Sequence, residues 1–209
     1  CTPIDSLYII AKPFFFVNRS CRLLFYVLSF LCSGGACLFF ADMIKYCADK
    51  KRSAIMIKVL FVCLGNICRS PMGEFIFRDI VAKRGLADKF FVASAGTSDE
   101  EAGNPVYPPA RRELEKHAIS CAGKRARQFT RGDYTEYDYI LGMESRNVAQ
   151  ILRIAGGDPE NKVFRLLDFS ARPRDIADPW YTGDFSAAYA DILDGAESFL
   201  GYLLREGKA

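Results

Sequence analysis

From Lys58 to Cys63 the chain reads KVLFVC, an apolar run after one lysine, closed off by Gly65. A short continuous run of this kind, bounded by a turn residue, predicts a strand buried on both faces of a parallel sheet. Pro71, favoured in the first turn of a helix, opens a predicted helix over Met72 to Arg84, and Gly85 ends it. Phe90 to Ser94 reads as a second strand and EAGNPVYPP (101–109) as a loop, whose Pro109 opens the helical segment ARRELEKHA. Tyr137 to Leu141 predicts a third strand, followed by a helix from Ser145 to Ala155 that stops at Gly156-Gly157. Val163 to Leu167 predicts a fourth strand. Residues 168–184, rich in Pro and Asp, form a long loop. The last helix is predicted over Phe185 to Leu204, with Leu193, Ala196, Phe199, Leu200 and Leu203 along one side. Strands alternating with helices imply right-handed βαβ units. The expected fold class is therefore α/β: a three-layer sandwich with a central four-stranded parallel sheet flanked by helices.

The first 55 residues follow a different pattern. From Leu23 to Ala41 there is no charged residue, and the run is long enough to cross a bilayer. Arg19 and Arg22 precede it, and Lys45, Lys50, Lys51 and Arg52 follow. Two domains are expected, 1–55 as an apolar extension and 56–209 as the folded unit. Met56 opens MIKVLFVCLGN, which resembles the start of a protein whose first element is a strand. The expectation is that 1–55 is an artefact of a start placed upstream of the true one, or a dispensable extension. The alternative is a membrane anchor over 23–41, with the larger basic cluster leaving the C-terminal domain in the cytoplasm. A cleaved signal peptide fits poorly, because the apolar run begins late and no small-x-small site ends it.

Charge sharpens the division. Seven Lys and Arg face three Asp in residues 1–55, leaving 21 basic and 22 acidic residues beyond. A domain so close to neutrality does not advertise nucleic-acid binding, and any anion site in it must be local. Five of the eight cysteines crowd the first 55 residues; only Cys63, Cys68 and Cys121 lie beyond. Those three form neither a disulfide framework nor a paired CxxC metal site, so no metal or cofactor is expected and a reducing, cytoplasmic compartment is.

The local anion site has a candidate. Ligands of open parallel sheets bind beyond the carboxyl ends of the strands, where Cys63 lies. The loop LGNICRS runs from it into a helix N-terminus, a region of unpaired N–H donors. Gly65 and Asn66 are residue types that accept the left-handed backbone of a tight cradle. Cys63 and Arg69 bracket it. A sulfur at its floor and a guanidinium closing on two phosphate oxygens as a bidentate fork would suit phosphoryl chemistry. Positive surroundings of this kind favour the thiolate, the reactive form of a thiol, and Ser70 can donate its hydroxyl to the sulfur. Spacing alone is weak: Cys121 and Arg127, in CAGKRAR, are separated identically. That second match lacks a preceding apolar strand, a Ser or Thr after the Arg, and a following helix, so it is read as chance.

VCLGNICRSP (62–71), SAGTS (94–98), GNPVYPPA (103–110), YDYILGM (137–143) and ADPWYTGDF (177–185) together resemble the low-molecular-weight protein tyrosine phosphatase family. The resemblance covers residues 56–209 and none of 1–55. It implies a cofactor-free, two-step hydrolysis of phosphotyrosine in proteins. Cys63 would form a phosphocysteine. Arg69 and the loop from Leu64 through Gly65, Asn66, Ile67, Cys68 and Ser70 would hold the phosphate. Asp178 would serve as general acid and then base. It also implies inhibition by inorganic phosphate and vanadate. Ser94 and His117 would join Asn66 and Ser70 in the hydrogen bonds that shape the loop. Trp180 and Tyr181 would wall the substrate cleft, and Cys68 would form a reversible disulfide with Cys63 under oxidation.

One departure stands out. Where many family members carry an aromatic after Thr97-Ser98-Asp99, this chain has Glu100 and then Glu101. The opposite rim of the cleft is thus expected to be acidic and to disfavour acidic peptides. Three other functions compete. Phosphoarginine hydrolysis is disfavoured by Ile67, where the family pattern for that substrate has Thr. Arsenate reduction needs resolving cysteines near the C-terminus, and none follows Cys121. A non-catalytic phosphotyrosine- or anion-binding module would need neither Cys63 nor Asp178.

Overall fold

The computed structural model describes residues 56–209. The extension and its apolar run at 23–41 lie outside the described residues. Four strands, β1 (Ile57–Cys63), β2 (Phe90–Gly96), β3 (Tyr139–Gly142) and β4 (Val163–Arg165), form one sheet in the order β2-β1-β3-β4. Every neighbouring pair is parallel. Among the described residues six α-helices accompany them: α1 (Arg69–Lys83), α2 (Pro108–Lys116), α3 (Arg131–Glu136), α4 (Ser145–Ala155), α5 (Pro179–Thr182) and α6 (Phe185–Arg205).

The two faces of β1 explain its unbroken apolar run. Val59 and Phe61 point into a core with Met72, Phe77, Leu114, Phe199 and Leu200 from α1, α2 and α6. Leu60 and Val62 point the other way, against Tyr134, Ile151 and Ala155 from α3 and α4. The expected three-layer sandwich follows from burying both faces. Helix α6 lays Ile192, Ala196, Phe199, Leu200 and Leu203 against the sheet and leaves Leu193 half-buried. Each large apolar side chain buried this way contributes about 1.5–3 kcal/mol. The chain passes from β1 to β2 on one side, then returns to β3 on the other. A crevice opens at that reversal, beyond the carboxyl end of β1.

Element bounds differ from expectation where local signals compete. Helix α1 begins at Arg69, three residues before the predicted start. Pro71 then sits inside the first turn, where an amide needs no intrahelical acceptor. Strand β4 ends at Arg165, and the expected strand residues Leu166 and Leu167 turn into a short 3₁₀ segment. Helix α3 was not anticipated. Its signal was the capping box between Thr130 and Asp133, easily passed over in a six-residue element containing Gly132. The long loop also contains α5, capped by Asp178. Among the described residues no helix is long and apolar enough to cross a membrane.

Candidate active site

The loop between β1 and α1 is shaped by contacts on its outer side. The carbonyls of Cys63, Leu64 and Ile67 accept the amides of Thr97, Ser98 and Tyr107 at 2.8, 2.9 and 2.9 Å. The C=O and N–H of a trans peptide point in opposite directions, so the amides of Leu64, Gly65 and Cys68 turn inward. Gly96 permits this close approach: a Cβ there would lie 2.6 Å from the Leu64 carbonyl oxygen. Asn66 takes the left-handed backbone expected of it, with φ of 58°.

Side chains lock the same turn. The Asn66 amide donates to Ser70 Oγ and Ser94 Oγ, both at 2.9 Å, and its Oδ1 accepts from the Arg127 backbone at 3.0 Å. Ser70 Oγ lies 3.0 Å from Cys63 Sγ. Ser94 in turn donates to Glu74 Oε2 at 2.7 Å. Glu74 is buried, and its charge is met by Lys124 Nζ at 3.0 Å and Arg78 at 2.9 Å. Lys124 also donates to the Ser94 carbonyl at 3.2 Å.

Sequence reasoning missed Glu74 and Lys124, and it assigned their place to His117. His117 lies elsewhere, just past the end of α2. Its ring stacks on Tyr189 with centroids 3.8 Å apart, and Nε2 is 3.8 Å from Glu113. No bond links it to the loop among the described residues. The error has a physical source: α2 packs against α6, so its far end is carried away from the loop. Cys121 and Arg127 also behave as expected of a chance match. Cys121 is buried in the core, while the Arg127 guanidinium pairs with Asp133 at 2.8 and 3.0 Å.

Arg69 is 1% exposed and held from three directions. Its NH1 donates to the Ile176 carbonyl at 2.9 Å, and NH2 meets Glu144 at 3.2 Å and also the Asp178 carboxylate. Burial works against its charge, but Cys63, Asp178 and Glu144 outweigh burial and raise its pKa further. Asp178 Oδ1 accepts the Trp180 amide at 3.0 Å, so one oxygen caps α5 while the other reaches Arg69. Burial, aided by the Cys63 and Asp178 charges, pushes the Cys68 thiol up to about 12.

A cavity of about 190 Å³ brings these groups together. Its base is Cys63, Leu64, Gly65, Ile67, Cys68 and Arg69; Asp178, Trp180 and Tyr181 stand on one rim, and Glu100 and Glu101 line it elsewhere. Trp180 rests on Tyr107 with centroids 4.9 Å apart, a support absent from the sequence reading. Glu101 is fastened, its Oε2 accepting from Asn104 at 2.7 Å and its Cγ filling the space that a Cβ on Gly65 would need. Among the described residues no cluster of His, Cys, Asp and Glu is arranged to hold a metal ion.

Residues 58–209 match the family model described as low molecular weight phosphotyrosine protein phosphatase. The chain belongs to this family. It is 41% identical over 153 residues to the low molecular weight protein-tyrosine-phosphatase YfkJ of Bacillus subtilis, covering 72% of this chain and 98% of that one. It is 36% identical over 152 residues to the phosphatase PtpA of Staphylococcus aureus, covering 72% and 96%. The YfkJ crystal structure superposes with a TM-score of 0.70 at 42% identity, over 72% of this chain and 96% of that one. A Drosophila arginine phosphatase superposes with a TM-score of 0.64 at 31% identity, over 70% and 97%. A single fold thus serves enzymes named for different phosphoamino acids, so the lining of the cleft has to set the substrate.

Proposed function

We propose that residues 56–209 hydrolyse phosphotyrosine in proteins through a phosphocysteine. One observation carries the reading. Cys63, Arg69 and Asp178, the last 109 residues from Arg69, line one cavity, with the sulfur 3.0 Å from a hydroxyl. In the first step the Cys63 sulfur attacks phosphorus, the S–P bond forms and the P–O bond to the tyrosine breaks. Asp178 gives its proton to the departing phenolate oxygen. The inward amides and Arg69 hold the equatorial oxygens, where charge is stabilised in the transition state. Phosphate competes with Asp178 for the guanidinium, which frees Oδ2 to face the leaving group. In the second step water attacks phosphorus and gives a proton to Asp178. The S–P bond breaks, the thiolate returns and phosphate leaves. Inorganic phosphate and vanadate would occupy the same cradle as inhibitors.

The cleft supports an aryl ester. Trp180 and Tyr181 offer exposed aromatic faces and Ile67 adds an apolar edge. The same cleft disfavours phosphoarginine, for which the family pattern has Thr in place of Ile67. Glu100 and Glu101 set the preference around the phosphate: a phosphotyrosine flanked by basic side chains suits this rim, and one flanked by acids is repelled. The three free cysteines of the domain fit a reducing compartment, and we place the enzyme in the cytoplasm.

The test is hydrolysis of an aryl phosphate by the full chain, with Cys63→Ser and Asp178→Ala beside it. Cys63→Ser should be inactive, and normal turnover by it overturns the mechanism. Asp178→Ala should lose roughly 10²- to 10⁴-fold, and less for substrates with good leaving groups.

A further inference from the structure

The chain from Ser170 to Asp178 contains no helix or strand, yet its last residue must be placed within bonding reach of a substrate oxygen. Two anchors hold its end. Ile176 is fully buried; its amide donates to the Met143 carbonyl at 2.9 Å, and its carbonyl accepts from Arg69. The second anchor is Asp175. Its Oδ1 accepts three bonds: from the Ser145 amide at 2.9 Å, the Ser145 hydroxyl at 2.8 Å and Arg165 NH1 at 3.0 Å.

This is an exchange of caps. Glu144 occupies the N-cap of α4 but makes no side-chain capping bond there. Its carboxylate is used instead on Arg69 at 3.2 Å and on Asn147 at 3.1 Å. Asp175, thirty residues on from Ser145, supplies the anion that the start of α4 then needs. Consecutive residues of one helix start therefore hold the two halves of the site, Glu144 the guanidinium and Ser145 the segment that carries Asp178. Arg165 is itself fixed by Asp168, with Nε and NH2 at 2.9 and 2.7 Å from Oδ1.

We propose that Asp175, clamped by Ser145 and Arg165 at the start of α4, is a positioning residue that sets the reach of Asp178 toward the leaving group. It rests on the assignment of Asp178 as general acid. Burial works against the Asp175 charge, but the Ser145 hydroxyl, Arg165 and the Ser145 amide outweigh it and hold its pKa below the ordinary carboxylate range. The clamp thus stays charged wherever the enzyme works near neutrality.

The experiment measures kcat/KM of the full chain on aryl phosphates of graded leaving-group pKa. This parameter covers the steps up to formation of the phosphocysteine. Displacing a catalytic group by about 1 Å costs up to roughly 10²-fold. Asp175→Ala should therefore lose roughly 5- to 50-fold on phenyl phosphate, retain activity within about twofold on an activated ester, and steepen the leaving-group dependence. Asp175→Asn, which still accepts both Ser145 bonds, should recover part of the loss. In an Asp178→Ala background, Asp175→Ala should cost nothing more. A loss equal across all leaving groups, or additive with Asp178→Ala, overturns the proposal. An Asp178→Ala single variant without leaving-group dependence would instead overturn the acid assignment beneath it.

Discussion

Replacing Lys124 with Met removes the cation that faces a carboxylate only 3% exposed, while keeping a side chain of similar length. Stripping one partner from a buried ion pair costs about 3–5 kcal/mol when nothing else meets the remaining charge. Here Arg78 still reaches Glu74 Oε1 at 2.9 Å, but from a side chain 47% exposed, so it offsets only part. The Ser94 carbonyl also loses its donor. A cost of about 2 kcal/mol follows. For a domain of this size each kcal/mol moves Tm by about 2–4 °C, so Lys124→Met should lower it by about 4–8 °C. The loss should reach the active site through Ser94 and Asn66, seen as a higher inhibition constant for inorganic phosphate. The decisive assay is a double-mutant cycle with Glu74→Gln, read by thermal unfolding. Neutralising Glu74 removes the orphaned charge, so Glu74→Gln in the Lys124→Met background should restore stability. If the double variant is no more stable than Lys124→Met alone, Lys124 does not compensate Glu74 and the reasoning fails.

Two further outcomes are expected. Charge reversal at the rim, Glu100→Lys, should shift kcat/KM by roughly 3- to 10-fold in favour of phosphotyrosine peptides with flanking Asp or Glu, and the shift should shrink in high salt, as exposed charges do; an unchanged Lys-to-Glu peptide preference removes Glu100 from specificity. Burial alone holds the Cys68 thiol above its ordinary range, so it is mostly protonated near neutrality even once peroxide has removed the Cys63 charge. Closure of a Cys63–Cys68 disulfide after peroxide, followed by loss of free thiols, should therefore keep accelerating through about pH 9 instead of levelling off there as an unshifted thiol would, and a plateau near pH 9 contradicts the shift.

Much of this site could be read along the chain, because its central part is local. A strand buried on both faces, a loop with Gly65 and Asn66, and a helix starting at Arg69 occupy consecutive residues, and each leaves its mark in residue type. The sharp turn at Asn66 needs a residue that tolerates positive φ, and the sequence has one. The glycine stop at Gly156 is likewise written within a few residues, as is the Thr130–Asp133 capping box, although that signal was passed over.

What supports the loop was decided in three dimensions. The Ile176 carbonyl that holds Arg69 carries no residue type to notice, since any amino acid supplies it. Glu74 sits in α1 and Lys124 in a turn fifty residues on; only the packing of α1 against β2 brings them together and buries them. The family resemblance put His117 in the loop network, and the path of α2 along α6 sends it to Tyr189 instead. Asp175 and Ser145 meet because β3 and β4 are neighbours in the sheet. The loop from Cys63 to Ser70 was legible along the chain, because its geometry depends on backbone preferences of adjacent residues. Tertiary structure determined which charges face it, because ion pairs and hydrogen bonds depend on distance through space, and that distance is set by how helices pack on the sheet.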